Sequence, residues 1–470
     1  MEKTELLRVL YRWNPWWEGR PPAVPEFRRD ALVSLKNELE ENKITALIGP
    51  RQTGKTTLML QLIKDLLEQG TAPQKILYLL IEDVRDALEE KKLSLRDILQ
   101  THSEEILHQP LGEGKRYVFW DEIHVYRDWS RSLKVLFDQN IPVKFIISGS
   151  ASTDLLKGAS ESLVGRIAPT ILLPMRFNEV ARFELNKDFH LNGMREIQQT
   201  LRSSLEESLG ARDPRPFFSV CQEVEKKIIP VEERLRIILQ RYLTTGGFPE
   251  IVVNRLEFDQ AFRRLRDYTD LVLQKDFVRF FGIRDPKSME RILRMIAKNT
   301  SRILVERNLA QDLGISVNTV RNYLEFLEDT FLVMSARIYA ASLARQIRRP
   351  EKFYIVDTGL GNTLVGYGEE DKGNLAETIV CTHLQSLSYE KGWPQEICYW
   401  REKEKFEVDL IWEVRGKVLP IEVKYRRAKR LTGINEFLTR YATWGMVISE
   451  ELRLEGNQIF VPLHLFLLLG

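Results

Sequence analysis

The residues Gly49-Pro50-Arg51-Gln52-Thr53-Gly54-Lys55-Thr56 fit the spacing GxxxxGK[ST] in full. They follow the apolar run ITALI and open the amphipathic stretch TTLMLQLIKDLL, so a strand runs into a glycine-rich turn and then a helix. A turn of this kind wraps backbone N–H groups around a phosphate at a helix N-terminus, where the helix dipole also favours negative charge. Lys55 would reach the β- and γ-phosphates of a triphosphate. The Thr56 hydroxyl would ligate Mg²⁺, with Thr57 beside it in the first helical turn. A second segment, Tyr117-Val118-Phe119-Trp120-Asp121-Glu122, ends four apolar residues with two acids. In an open parallel sheet, that C-terminal edge is where ligands bind. Asp121 would hold the Mg²⁺ shell, and Glu122 would orient and polarise an attacking water. Ser148, after the run KFII, could contact the γ-phosphate or the water. Arg166, in LVGR, could stabilise transition-state charge on its own or a neighbouring subunit's nucleotide, or form a surface ion pair.

A second carboxylate constellation lies near the C-terminus. FEVDLIW and VLPIEVKY flank Arg415-Gly416 and read as a hairpin with a two-residue loop. This register sets Asp409 opposite Glu422 and Glu407 opposite Lys424, all on one face. Phe406, Val408, Leu410, Trp412, Leu419, Ile421, Val423 and Tyr425 fall on the other, as a core face. Two opposed carboxylates repel, and a divalent cation removes the conflict. Asp409 and Glu422 would then hold Mg²⁺, which lowers the pKa of a water for attack on a phosphodiester. Lys424 would hold that water or the phosphate. Glu377, in the helical run 374–387, could supply a third carboxylate. Lys424, Arg426, Arg427, Lys429 and Arg430 would form a patch for backbone phosphates. The bland alternative is a polar sheet face with a Lys424–Glu407 pair.

Residues 309–324 read as helix, glycine turn, helix, packed by Leu309, Leu313, Ile315, Val320, Leu324 and Leu327. Ser316, Asn318, Thr319, Arg321 and Asn322 would lie exposed where recognition helices meet bases and phosphates. Residues 331–338 could form a wing strand, and Arg345, Arg348 and Arg349 extend the basic surface. The alternative is a helix pair that only joins two domains.

The elements that must position these groups follow from the hydrophobic pattern. Strand candidates at 44–48, 76–81, 117–120, 144–147 and 170–173 alternate with helical stretches and imply a parallel α/β sheet. Residues 180–285 read as helices, with a turn at Gly246-Gly247-Phe248-Pro249; strands and helices alternate again from Lys352. Trp13-Asn14-Pro15-Trp16-Trp17 could wall an adenine pocket, although an anchor for the N-terminal segment is the favoured reading. The chain has 470 residues, 43% hydrophobic and 29% charged, which is ordinary globular material. A net charge of +2 excludes a chain that coats nucleic acid along its whole surface, so any DNA contact is local. Three cysteines without CxxC spacing exclude a zinc site or disulfide scaffold and fit a reducing compartment. The charged start and the short apolar run LFLLLG suggest neither a signal peptide nor a membrane span, so the expectation is a cytoplasmic protein with no membrane contact.

The segments GPRQTGKTTL, YVFWDEIH, ISGSAS, LVGR, YLTTGGFPE, YIVDTGL, GNLAE, YWREKEKFEVDLIWE and LPIEVKY together resemble a widespread archaeal and bacterial family of AAA-superfamily ATPases. Its members carry an ATPase domain, a winged-helix module and a restriction-endonuclease-like C-terminal domain. The resemblance implies an α/β protein with a P-loop AAA-type parallel sheet and N-terminal lead-in (1–180), a helical lid (181–285), a winged-helix module (286–345) and a PD-(D/E)XK nuclease-like α/β domain (346–470). It implies ATP and Mg²⁺ as cofactors and DNA as a partner. It assigns Lys55, Thr56, Asp121 and Glu122 to ATP hydrolysis, and Glu377, Asp409, Glu422 and Lys424 to a nuclease-like site. Two alternatives stand beside DNA processing. One is a DNA motor whose nuclease-like domain does not cleave. The other is a nucleotide-dependent switch acting on protein partners. Arg166 acting in trans would require a homo-oligomer.

Overall fold

Five short runs, most of them apolar, pair into one parallel sheet. In the computed structural model, residues 2–470 are described except 151–162, 164, 186–190, 277–284, 341, 343–345, 347–348, 369–370, 393–396, 403–404, 426–430 and 442. Two compact units result, Met1–Leu172 and Leu173–Gly470. In the first, β1 (Ile44–Ile48), β2 (Ile76–Leu80), β3 (Arg116–Asp121), β4 (Val143–Gly149) and β5 (Ile167–Ile171) lie in the order β2-β3-β4-β1-β5. All their pairings are parallel. Every residue of β1 is buried, as expected of a strand covered on both faces. The last strand starts three residues earlier than the apolar pattern suggests and includes Pro169. Proline has no N–H for a ladder, and an edge strand tolerates that loss.

The outer edge of β2 is closed by the N-terminal segment. Helix α1 (Lys3–Trp13) stops at Asn14, which is fully buried. The Asn14 amide donates to Tyr78 O at 2.8 Å and accepts from Tyr78 N at 2.7 Å, as a neighbouring strand would. The indoles of Trp16 and Trp17 both donate to Ile76 O, at 3.1 and 2.9 Å. The tryptophan cluster therefore anchors the segment and satisfies an edge that would otherwise expose unpaired backbone groups. Helix α2 (Lys55–Glu68) follows the glycine-rich turn, and α3 (Trp129–Asp138) lies between β3 and β4 in sequence.

In the second unit, α4 (Glu232–Thr245) runs into the turn at Gly246 and Gly247. The segment Glu306–Leu313 (α6) and Val317–Asp329 (α7) form the anticipated helix pair, preceded by α5 (Pro286–Lys298) and β6 (Arg302–Leu304). Gly314 joins the pair at φ 66°, a left-handed conformation that suits glycine. Then come β7 (Val333–Ile338) and β8 (Glu351–Ile355), which pair antiparallel, with β8 also pairing β6. Helix α8 (Thr358–Val365) is capped by Asp357, whose carboxylate accepts from Leu360 N at 3.0 Å and from Gly247 N at 2.7 Å. The two motifs TGGFP and DTGL thus lock onto each other. Helix α9 (Lys372–Glu390) precedes β9 (Cys398–Glu402), β10 (Phe406–Val414) and β11 (Lys417–Val423); α10 (Thr432–Tyr441), β12 (Gly445–Ser449), β13 (Arg453–Glu455) and β14 (Gln458–Pro462) follow. The described strands make one sheet in the order β13-β14-β12-β11-β10-β9-β7-β8-β6. β7 pairs β9 in parallel, so residues on both sides of position 345 share this sheet. The run LFLLL is buried in this unit. Among the described residues, no helix is long and apolar enough to cross a membrane.

His383 on α9 shows how tightly the second unit is joined. It is buried, its Nδ1–H donates to Ile379 O at 2.9 Å and its Nε2 accepts from Phe177 N at 2.8 Å. Burial, helped by the Arg176 charge, lowers its pKa to about 3 from the usual 6.5. The unfolded chain therefore takes up a proton that the folded chain refuses as pH falls from 6.5. Stability present above that pH is lost on acidification, by up to about 1.4 kcal/mol per pH unit from this residue. Urea midpoints across this range should fall less steeply for His383→Gln than for wild type. Equal slopes would contradict the assignment.

Candidate functional site

The turn at 49–54 has the backbone that its glycines permit. A Cβ on Gly49 would lie 2.1 Å from Leu172 O, so only glycine fits there. Gln52 adopts φ 64° and Gly54 φ 92°, and Gly54 caps α2. Thr53 Oγ1 donates to Pro50 O at 2.9 Å, and Arg29 donates to Thr53 O at 3.1 Å, bracing the loop from outside the motif. The Lys55 ammonium is 4% exposed and donates to Gly49 O and Pro50 O at 3.0 and 2.8 Å. Pro50 is buried, Arg51 and Thr57 are half-buried, and Gln52 is exposed.

Asp121 is fully buried at the C-terminal end of β3 and receives three hydroxyls. Thr56 Oγ1 donates to its Oδ2 at 2.6 Å and Tyr78 OH donates to the same oxygen at 2.8 Å. Ser148 Oγ donates to its Oδ1, and Glu122 N donates to Ser148 Oγ at 2.9 Å. Thr56, the adjacent pair Asp121 and Glu122, and Ser148 are therefore one hydrogen-bonded line across α2, β3 and β4. Parallel pairing of β3 with β4 sets Trp120 beside Ile147, which brings the next pair of residues together. Glu122 sits at φ 52°, a strained backbone for a non-glycine residue and one that recurs at functional sites. Its Oε2 is buried and has no hydrogen-bond partner among the described residues; it lies 3.4 Å from His124 Nδ1. Burial and then the charge of Asp121 push the Tyr78 phenol far above its ordinary pKa, so it stays a donor. Two hard oxygens, Thr56 Oγ1 and Asp121 Oδ2, and an orphaned Glu122 oxygen fit Mg²⁺ and an ordered water.

Arg166 is not brought to this site. Its carbonyl accepts from Ile44 N at 2.8 Å at the start of β1, whereas the glycine turn follows the end of β1, about 13 Å further along at strand rise. Its guanidinium pairs with Asp138 at 2.7 Å, so a role on its own chain's phosphates is corrected to a surface ion pair.

The C-terminal hairpin has the anticipated turn, with Arg415 at φ 50° and Gly416 at φ 74°, and the anticipated register from Leu410 opposite Ile421 to Val414 opposite Lys417. Asp409 departs from a simple pair: its carboxylate accepts from Val423 N at 2.8 Å. A register shift against β9 falls between Val408 and Ile411, and both residues pack with Trp400 and Phe437. Val408 therefore does not share a face with Leu410 and Trp412, because an irregularity in the ladder resets the two-residue alternation. Glu407 does not meet Lys424. It pairs with Lys352 at 2.8 Å and lies 3.7 Å from Arg401. Lys424 instead holds Glu422 at 2.6 Å and lies 4.0 Å from Asp409. Glu377 accepts from Lys352 at 3.3 Å and from Tyr354 OH at 2.9 Å. Burial and the charge of Asp409 push both Glu377 and Glu422 up to about 7. Burial pulls Lys352 down, but Glu377, Asp409 and Glu407 more than reverse this and keep it charged. Glu422 Oε2 is buried with no hydrogen-bond partner among the described residues. Among the described residues, no three His, Cys, Asp or Glu side chains are gathered closely enough to hold a metal ion, so a three-carboxylate set of Glu377, Asp409 and Glu422 is not assembled.

On the helix pair, Ser316, Asn318, Arg321 and Asn322 are exposed and Thr319 is half-buried. Ser316 Oγ caps α7 by accepting from Thr319 N at 3.1 Å, and Arg321 pairs with Glu306 at 2.7 Å. Arg349 is exposed. Arg345, Arg348, Arg426, Arg427, Lys429 and Arg430 lie outside the described residues.

Residues 41–181 match the family model of an AAA domain, in keeping with the five-stranded parallel sheet and its P-loop. Residues 236–371 and 372–466 match two families described as domains of unknown function, DUF8612 and DUF4143. The chain is 25% identical over 441 residues to the uncharacterized protein MJ1637 of Methanocaldococcus jannaschii, covering 92% of this chain and 86% of that one. It is 26% identical over 406 residues to the uncharacterized protein Rv2008c of Mycobacterium tuberculosis, covering 84% and 74%. Among solved structures, AMPPCP-bound DnaA from Aquifex aeolicus aligns at 13% identity and a TM-score of 0.26, over 65% of this chain and 89% of that one. The STAND protein with a tetratricopeptide repeat sensor, PH0952, from Pyrococcus horikoshii aligns at 13% identity and a TM-score of 0.25, over 80% of this chain; this chain spans 49% of its length.

Tyr78 had no signal in the sequence, since ILYLL reads as core. Tyr78→Phe removes one donor from a buried carboxylate and opens no cavity. Its expected cost is about 1.5–3 kcal/mol of stability, read from the urea midpoint. An unchanged midpoint would show that the hydroxyl does not support Asp121.

Proposed function

We propose that the first unit binds ATP with Mg²⁺ and hydrolyses it. The observation that carries this reading is the hydrogen-bonded line from Thr56 through Asp121 and Ser148 to Glu122, beside a complete phosphate-binding turn. The N–H groups of the turn cradle the phosphates, and Lys55 exchanges the carbonyls of Gly49 and Pro50 for phosphate oxygens. Mg²⁺, when bound, neutralises the β- and γ-oxygens. Thr56 and Asp121 hold that ion. Glu122 accepts a hydrogen bond from water and aims its oxygen at the γ-phosphorus, with Ser148 fixing the backbone of Glu122. The water oxygen bonds to phosphorus as one of its protons passes to Glu122 and then to the product phosphate, the bridging P–O bond breaks, and ADP and phosphate leave. Lys55→Ala should abolish nucleotide binding. Glu122→Gln should retain binding but lower turnover by about 100-fold or more, a loss typical of removing one group that acts on the transition state. Full turnover by Glu122→Gln would refute the role.

We further propose that the second unit engages DNA. The order α5-β6-α6-α7-β7-β8 supports a winged-helix reading, in which α7 would present Ser316, Asn318 and Asn322. Asp409 on β10, Glu422 on β11 and Lys424 just after it supply a nuclease-like metal and phosphate site. Non-cleaving DNA engagement is favoured by one observation: Glu377 and Glu422 each already lie within ion-pair distance of a lysine. Cleavage of single-stranded, duplex and branched DNA separates the two readings. Mg²⁺-dependent nicking that Asp409→Asn abolishes selects the nuclease. Binding without nicking, altered by ATP, selects the remodeller. No binding to any DNA at low salt would leave a switch acting on proteins.

A further inference from the structure

Lys352 was not singled out by any motif, yet it is 2% exposed and lies at the centre of the acidic cluster. It projects from β8 with its Nζ 2.8 Å from Glu407 Oε1 and 3.3 Å from Glu377 Oε1. Tyr354 OH donates to the same Glu377 oxygen, and the Tyr399 ring centroid lies 5.6 Å from the ammonium. A buried cation with two carboxylates is costly to dismantle from either side, because removing one partner strands the other charge. A divalent ion placed on Glu377 would have to approach this ammonium, so the two cations compete for one carboxylate.

Asp409 and Glu422 are arranged differently. Glu422 is 7% exposed, and while its Oε1 meets Lys424, its Oε2 is buried with no hydrogen-bond partner among the described residues. Asp409 accepts the Val423 N–H and stands 4.0 Å from Lys424.

We propose that Lys352 is a built-in counter-cation that withdraws Glu377 from metal binding, leaving Asp409 and Glu422 to take a single divalent ion. This deepens the metal-site reading of the second unit and rests on it. It also makes Lys352 a positioning residue, which sets how many cations the site holds without touching substrate.

Manganese titration of the nucleotide-free full chain, followed by electron paramagnetic resonance, tests it. Wild type should bind one Mn²⁺ that Asp409→Asn abolishes. Glu377→Gln should bind Mn²⁺ within twofold of wild type; a loss of tenfold or more would make Glu377 a ligand and overturn the proposal. Lys352→Met should gain a second Mn²⁺ or bind the first at least tenfold more tightly, and Lys352→Arg should behave as wild type. Wild-type stoichiometry and affinity in folded Lys352→Met would overturn it. If Lys352→Met unfolds without metal, recovery of its thermal transition by Mn²⁺ supports the proposal and failure to recover overturns it. Absence of Asp409-dependent Mn²⁺ in wild type alone would remove the metal-dependent nuclease reading; Mn²⁺ acquired by Lys352→Met would still support the counter-cation.

Discussion

One buried carboxylate, Asp121, ties the first unit together. Burying a carboxyl group at zero exposure is costly, and three hydroxyl donors offset that cost. Each donor comes from a different element: Thr56 from α2, Tyr78 from β2 and Ser148 from β4. The acid therefore fixes the helix that follows the glycine turn against the strand ends that must face the same ligand. Ser148 passes the constraint on to Glu122 through its backbone N–H. The edge cap by Asn14, Trp16 and Trp17 belongs to the same chain of support, since it holds the strand that carries Tyr78.

The second unit solves a like problem with opposite means. Its acids are not fed by hydroxyls alone but by two lysines, Lys352 on β8 and Lys424 just after β11. Ion pairs of this kind hold carboxylates together without a metal. The same unit keeps its helical and sheet parts in register by the mutual lock of Asp357 with Gly247 and the pairing of β7 with β9.

Local patterns were legible where chemistry and geometry coincide within a few residues. The glycine turn, four of the five strand positions, the hairpin loop at Arg415-Gly416 and its register all follow from short-range rules. Legibility failed where a distant partner decides. Pro169 hid the start of β5, because only its edge position makes the residue tolerable. Val408 changed face because a ladder irregularity against β9 shifted the alternation. Tyr78 and Lys352 sit in runs that read as ordinary core strands, and their partners lie 43 and at least 25 positions away. Arg166 stands in a motif that suggests a phosphate contact, yet the parallel pairing of β5 with β1 carries it to the far edge of the sheet.

The most direct test is a crystal structure of the chain with Mg²⁺ and a non-hydrolysable ATP analogue. The account predicts that Lys55 Nζ leaves the carbonyls of Gly49 and Pro50 for the β- and γ-phosphates, with the metal between Thr56 and Asp121 and a water on Glu122. A nucleotide bound elsewhere, or a Lys55 that keeps its loop carbonyls with the triphosphate present, would contradict it.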